Sequence, residues 1–207
     1  MPSITGTIQV ECPACDRPHE AKLVQSVNTR TAPADKQKLL AGELNVVVCP
    51  CGAHTQLEST IVFHDPDSGF LCQVCPGGEQ ALISAAELMR AVGAVGSRRR
   101  LVPSLNALVE KVKLVDAGLD DRAIEMTKVL LLAAMAEPDL DRVLLFDRVE
   151  DGVIHWLRFD GGDELVATAS PLASYERLAA RAGTDSELRV DRAWAVEAVR
   201  AMIADAN

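Results

Sequence analysis

Apolar and polar positions alternate along residues 4–11 and again along 19–27, where Ala21, Leu23 and Gln25 share one side. That period of two predicts a pair of strands joined by the turn between them. Residues 31–40 change period: Thr31 can cap, Pro33 suits a first turn, Leu39 and Leu40 form an apolar edge, and Gly42 stops a short helix. The β-branched run 45–48, the stretch 56–63 and the stretch 70–74 then read as further strands. His64-Asp65-Pro66-Asp67-Ser68-Gly69 supplies the turn between the last two.

From residue 80 onward the spacing becomes mainly helical. Ser84-Ala85-Ala86-Glu87 fits a capping box, with Ile83 and Leu88 placed as a hydrophobic staple. Residues 93–103, with Gly, Ser and the run Arg98-Arg99-Arg100, read as a solvated linker. Ser104 caps the next helix, with Leu105, Leu108, Val109, Val112 and Val115 on one face. Asp120 starts a third, apolar on all sides over residues 129–136 and so expected in the core or a dimer interface. Two strands then flank Asp151-Gly152, a strong hairpin signal; a turn at 160–163 and a third strand follow. A helix opening at Ser170-Pro171 presents Leu172, Tyr175, Leu178 and Ala179. The last helix, capped by Asp191, is expected to turn Ala195, Val199, Met202 and Ile203 inward. Strands, then helices, then a meander with two closing helices specify an α+β fold. The expected division is a β-rich module over 1–80 and an α+β region over 81–207.

Composition narrows the function classes. The 207 residues are 48% hydrophobic and 25% charged, as in a soluble globular protein. No apolar run is long enough to span a bilayer. The amino terminus lacks the basic start and apolar middle of a signal peptide, which points to the cytoplasm. The net charge of −9 and the scarcity of aromatics, 3%, disfavour nucleic acid as a partner. In a reducing compartment, six cysteines favour metal ligation or redox work over disulfides.

Four of those cysteines form two couplets, Cys12-Pro13-Ala14-Cys15 and Cys49-Pro50-Cys51. Each couplet is a tight turn that can aim two thiolates at one point, and a tetrahedral Zn2+ joins two such turns. Residues 1–80 hold only Phe63 and Phe70 as aromatics, so a metal would supply much of that region's folding energy. The expected ligands of the zinc are Cys12, Cys15, Cys49 and Cys51.

The string Cys12-Pro13-Ala14-Cys15, Leu39-Leu40-Ala41-Gly42-Glu43-Leu44-Asn45, Cys49-Pro50-Cys51-Gly52 and His64-Asp65-Pro66 resembles the CpXC family of bacterial and archaeal proteins. Asp116-Ala117-Gly118-Leu119-Asp120-Asp121-Arg122 is similar to the helical segment of its longer members. The resemblance is specific over residues 8–70 and extends to about residue 137. It implies two Cys-Pro-x-Cys knuckles around a short helix and a metal-binding fold, and it implies no activity. The second knuckle here is one residue shorter than the family's. That leaves His54, Cys72 or Cys75 as alternative fourth ligands in place of Cys51; otherwise Cys72 and Cys75 are buried strand residues.

A redox couplet would place its first thiolate at a helix start, where the dipole lowers its pKa; here a strand-like run follows instead. His19, His64 and His155 read as turn or strand residues, and Asp65 with Asp67 as a turn. No Gly-x-Ser-x-Gly, phosphate loop or dinucleotide fingerprint occurs. The chain therefore reads as a structural zinc protein whose surface meets a protein partner or a second copy of itself. A metal- or thiol-dependent enzyme is the alternative, and zinc-ribbon-like nucleic-acid binding ranks behind both.

Overall fold

The computed structural model describes residues 3–92, 98–159 and 165–205. The chain divides into two compact units, residues 1–109 and 110–207. The α+β class read from the sequence holds: an amino-terminal sheet, then helices, then a three-stranded meander.

Unit one is built on a five-stranded sheet of β1 (Ile4–Glu11), β2 (Pro18–Asn28), β5 (Ile61–Asp65), β6 (Phe70–Val74) and β7 (Arg98–Val102), in the order β1-β2-β5-β6-β7. β1 and β2 are the expected antiparallel pair. β2 and β5 are parallel, as are β6 and β7. Parallel neighbours need a long crossover, because the chain must return to the same end of the sheet. The first crossover carries α1 (Pro33–Leu40) and a separate ribbon, β3 (Val46–Val48) with β4 (His54–Gln56). The second carries α2 (Gly78–Ala91). One layer of the sheet core is Val27, Ile61, Phe63, Phe70, Cys72 and Val74, all at most 1% exposed; Phe63 and Phe70 lie 6.3 Å apart between ring centroids.

Several local readings need correction. α1 is capped by Ala32 and makes no side-chain cap bond, so Thr31 does not cap it; the Thr31 hydroxyl instead approaches the Asn28 carbonyl. α2 starts at Gly78, six residues before the Ser84 capping box, and Ser84 lies inside it. Ile83 and Leu88 are 43% and 64% exposed, so they form no staple. The run Arg98-Arg99-Arg100 is not linker but strand β7, hydrogen-bonded to β6 with Arg100 opposite Cys72. Arg100 is 1% exposed. Its charge concealed a strand whose register is dictated by the neighbouring β6 rather than by alternation. Residues 93–97 of the expected linker, and the turn expected at 160–163, lie outside the described residues.

Unit two follows the sequence more closely. The division between the units falls within α3 (Leu105–Asp116), whose start is capped where Ser104 Oγ accepts the Ala107 N–H. α4 (Asp121–Ala133) is capped by Asp120 through the Arg122 N–H. β8 (Val143–Glu150), β9 (Val153–Phe159) and β10 (Leu165–Pro171) form the antiparallel meander, with Asp151 and Gly152 both at positive φ in the first turn. α5 (Leu172–Ala179) and α6 (Arg192–Ala204) close the unit, and Asp191 caps α6 by accepting the Trp194 N–H at 3.0 Å. Trp156 is fully buried, its ring edge-on to Phe146, and its indole N–H donates to Ser170 Oγ at 2.9 Å. Ala195 and Val199 of α6 face the core as expected; Ile203 is 52% exposed and does not.

The apolar run of α4 is not wholly enclosed in the core, the first of its two expected placements. Its charged first turns are buried, whereas Leu130 is 37% exposed and Leu131 only partly covered. The reason is an ion cluster between α3 and α4. Lys128 Nζ sits 2.8 Å from Glu110 and 2.9 Å from Glu125, and Lys111 Nζ sits 2.8 Å from Asp121 and donates to the Val190 carbonyl. Glu110 also accepts the Phe146 backbone N–H of β8 at 2.6 Å. Burying these charges is tolerated because each is paired and hydrogen-bonded.

Lys128→Ala strands two buried carboxylates. It is expected to cost about 3–5 kcal/mol. Denaturant unfolding followed by fluorescence checks this, because both tryptophans, Trp156 and Trp194, lie in unit two and report on it alone.

Candidate metal centre

Each cysteine couplet forms the tip of an antiparallel hairpin. Residues 12–17 close the β1–β2 hairpin: Cys12 N–H donates to the Arg17 carbonyl at 3.1 Å, and the Cys12 carbonyl accepts the Asp16 N–H at 2.8 Å. Residues 49–53 close the β3–β4 ribbon: Cys49 N–H donates to Ala53 and the Cys49 carbonyl accepts the Gly52 N–H, both at 2.8 Å. The one-residue deletion in the second couplet thus shortens the reverse bond from the fourth following residue to the third. In both tips the residue after the last cysteine takes positive φ, Asp16 at 55° and Gly52 at 89°. Gly52 suits this region because it has no Cβ penalty.

The two tips meet. The Sγ atoms of Cys12, Cys15, Cys49 and Cys51 all lie within 4.8 Å of one another, with Cys12–Cys51 at 3.7 Å and Cys15–Cys49 at 3.6 Å. No disulfide joins any of the six cysteines. Cys12 and Cys49 are buried, at 1% and 3% exposure, Cys15 is intermediate and Cys51 exposed. Such a group can hold a metal ion. The electrostatics run the same way. The Ala14 backbone N–H draws the Cys12 thiol down to about 7, against its burial. Cys49 receives a backbone N–H from Cys51, yet burial and the three neighbouring thiols push it up to about 12. Four sulfurs converging on one point cannot all ionise without a cation between them.

The alternative fourth ligands stand elsewhere. His54 is exposed on β4, paired in register with Val48. Cys72 is fully buried on β6, and Cys75 follows that strand with its N–H bonded to Val102 and its thiol raised by burial. Neither joins the cluster, nor do His19 and His64 of β2 and β5, and no helix begins at either couplet. Asp65 accepts the Thr29 hydroxyl at 3.0 Å and the Asp67 N–H at 3.3 Å, which is turn chemistry.

Asn45 escaped the sequence reading as a positioning residue. Its backbone is left-handed, φ 59°, and its amide pairs with β2 as a strand would, accepting the Val24 N–H at 2.8 Å and donating to the Val24 carbonyl at 3.0 Å. A third bond reaches Ser59 Oγ at 3.3 Å, and its carbonyl accepts the Leu57 N–H. Asn45 therefore moors the second hairpin to the strand that carries the first. An asparagine between the helix stop Gly42 and a β-branched run was the available signal.

A family model described as CpXC protein matches residues 10–128, more than half of the chain. That span covers both couplets, Asn45 and the buried start of α4. No curated protein and no solved structure matches the chain.

Asn45 is 6% exposed, and Asn45→Ala leaves the half-buried Val24 N–H and carbonyl without these bonds. It is expected to cost about 2–4 kcal/mol in unit one, read as lost hydrogen-exchange protection in β2 and β3. Gly52→Ala meets no neighbouring atom, so its cost is conformational alone, about 1–2 kcal/mol by the same measurement.

Proposed function

The chain belongs to the CpXC family, and on that premise we propose that it is a cytoplasmic zinc-binding protein whose metal is structural. In this reading Cys12, Cys15, Cys49 and Cys51 are the ligands, and the zinc-bound module serves protein interaction or assembly. The observation that carries the reading is the sulfur geometry. Four sulfurs at about 2.3 Å from a tetrahedral zinc are about 3.8 Å apart; two of the pairs here stand at 3.6 and 3.7 Å, and all four sulfurs lie within 4.8 Å of one another. An all-thiolate set also suits zinc better than magnesium or calcium, which prefer oxygen. When bound, the ion would neutralise the converging thiolates and tie two hairpin tips that share no other short route through the chain.

A structural role is favoured over catalysis by the ligand count. A catalytic zinc keeps one position open beside an acid or base. Here four thiols fill the group, and among the described residues no histidine or carboxylate belongs to it. Support for an interaction role comes from α2 and its end, where Ile83, Leu88 and Val92 expose 43%, 64% and 74% of their surface.

Metal analysis of protein purified without added metal tests the reading. One zinc per chain is expected, with thiols slow to alkylate until a chelator is added. Cys12→Ser and Cys49→Ser are expected to lose the metal and to unfold unit one, since a structural zinc contributes roughly 10–16 kcal/mol. Because binding displaces thiol protons, the metal is retained at neutral and alkaline pH and released as the pH falls into the acid range. Native protein with rapidly alkylated couplets and no metal would overturn the proposal.

A further inference from the structure

Unit two holds a cavity of about 360 Å3 between α4, the end of β10, α5 and α6. That volume falls within the range of small-molecule sites, about 300–1,000 Å3. Its floor is apolar, formed by Leu130 and Leu131 of α4, Leu178 of α5 and Met202 of α6. This is where the apolar run of α4, expected to be covered, is left open.

Two cations stand over that floor. Ser174, Arg177, Leu178 and Arg181 follow one another at helical spacing along one side of α5 and its extension, and all line the cavity. Several arginines of this acidic chain carry carboxylate partners, as in Arg30–Asp67, Arg122–Asp120, Arg148–Glu150 and Arg200–Glu197. Among the described residues Arg177 bonds only to Ser174 Oγ, at 3.1 Å, and the Arg181 guanidinium has no partner. Asp205 borders an adjoining hollow with Arg181 without pairing to it. At the inner wall Ser170, 4% exposed, accepts the Trp156 indole N–H, and its hydroxyl proton has no acceptor among the described residues. An apolar floor, two guanidiniums free of carboxylates and one buried donor are complementary to a single ligand chemistry: an anionic head on an apolar body.

We propose that this cavity binds a small amphipathic carboxylate, the head held by Arg177 and Arg181 and the aliphatic tail lying over Leu130, Leu131 and Met202. The site is separate from the cysteine centre and does not depend on how that centre is read.

Calorimetric titration of the full chain with decanoate, below its micelle concentration, tests the proposal. Saturable one-to-one binding is expected, at least about tenfold tighter than for 1-decanol, which lacks the charge, or for acetate and inorganic phosphate, which lack the tail. Arg177→Gln and Arg181→Gln are each expected to weaken decanoate by about tenfold or more while leaving 1-decanol unaffected. Leu130→Asn weakens both. Unchanged tryptophan fluorescence shows that each variant has kept its fold. Absent saturation, equal affinity for 1-decanol, phosphate binding as tight as decanoate, or indifference to both arginine substitutions would overturn it. So would light scattering that shows a dimer which Leu130→Asn dissociates, since the floor would then be covered by a second copy.

Discussion

Four thiols brought to one point are the constraint on which unit one turns. Sulfurs this close repel once ionised and gain little from contact as neutral thiols, so the arrangement stores an electrostatic demand. The demand shows in the opposite displacement of Cys12 and Cys49, one toward thiolate at neutral pH and the other far from it. The backbone around them supplies the cradle: each tip closes with its own reverse hydrogen bond and one left-handed residue. Neither hairpin could specify the other's position from its own sequence.

What carries the second hairpin to the first is a polar device. The β3–β4 ribbon is a two-stranded piece, too small to be stable by itself. Asn45 replaces the missing strand-to-strand bonds with side-chain bonds to Val24, and Gln56 donates to the Leu44 carbonyl at 2.8 Å. The Asn45 bonds place the second tip on the strand that leaves the first. The cysteines and Asn45 are thus one structural unit, although only the cysteines announce themselves by chemistry.

Unit two solves a different problem with charge. The Glu110, Lys111, Asp121, Glu125 and Lys128 cluster orients α3 against α4 and reaches the meander through the Phe146 N–H. A purely apolar interface would permit several rotations of α4; paired charges permit one. That choice turns Leu130 outward and leaves the apolar cavity beside α5. Tyr175 adds a further tie by accepting the Asp120 N–H at 2.8 Å, so α5 and the start of α4 are held in one arrangement.

Much was legible in the residues themselves: the α+β class, the β1–β2 hairpin with Cys12 at its tip, the Asp151-Gly152 turn, the caps at Ser104, Asp120 and Asp191, and the four cysteines as one candidate group. Those signals are local, carried by period, turn chemistry and spacing. The tertiary structure alone decided the rest. Arg98-Arg99-Arg100 became strand because β6 offered a parallel edge, and Cys72 and Cys75 stayed outside the cluster because β6 and its end bury them in the sheet core. The charged turns of α4 went inside because their partners lie on another helix. In each case the deciding partner is remote in the chain, and no window on the sequence contains both members of the pair.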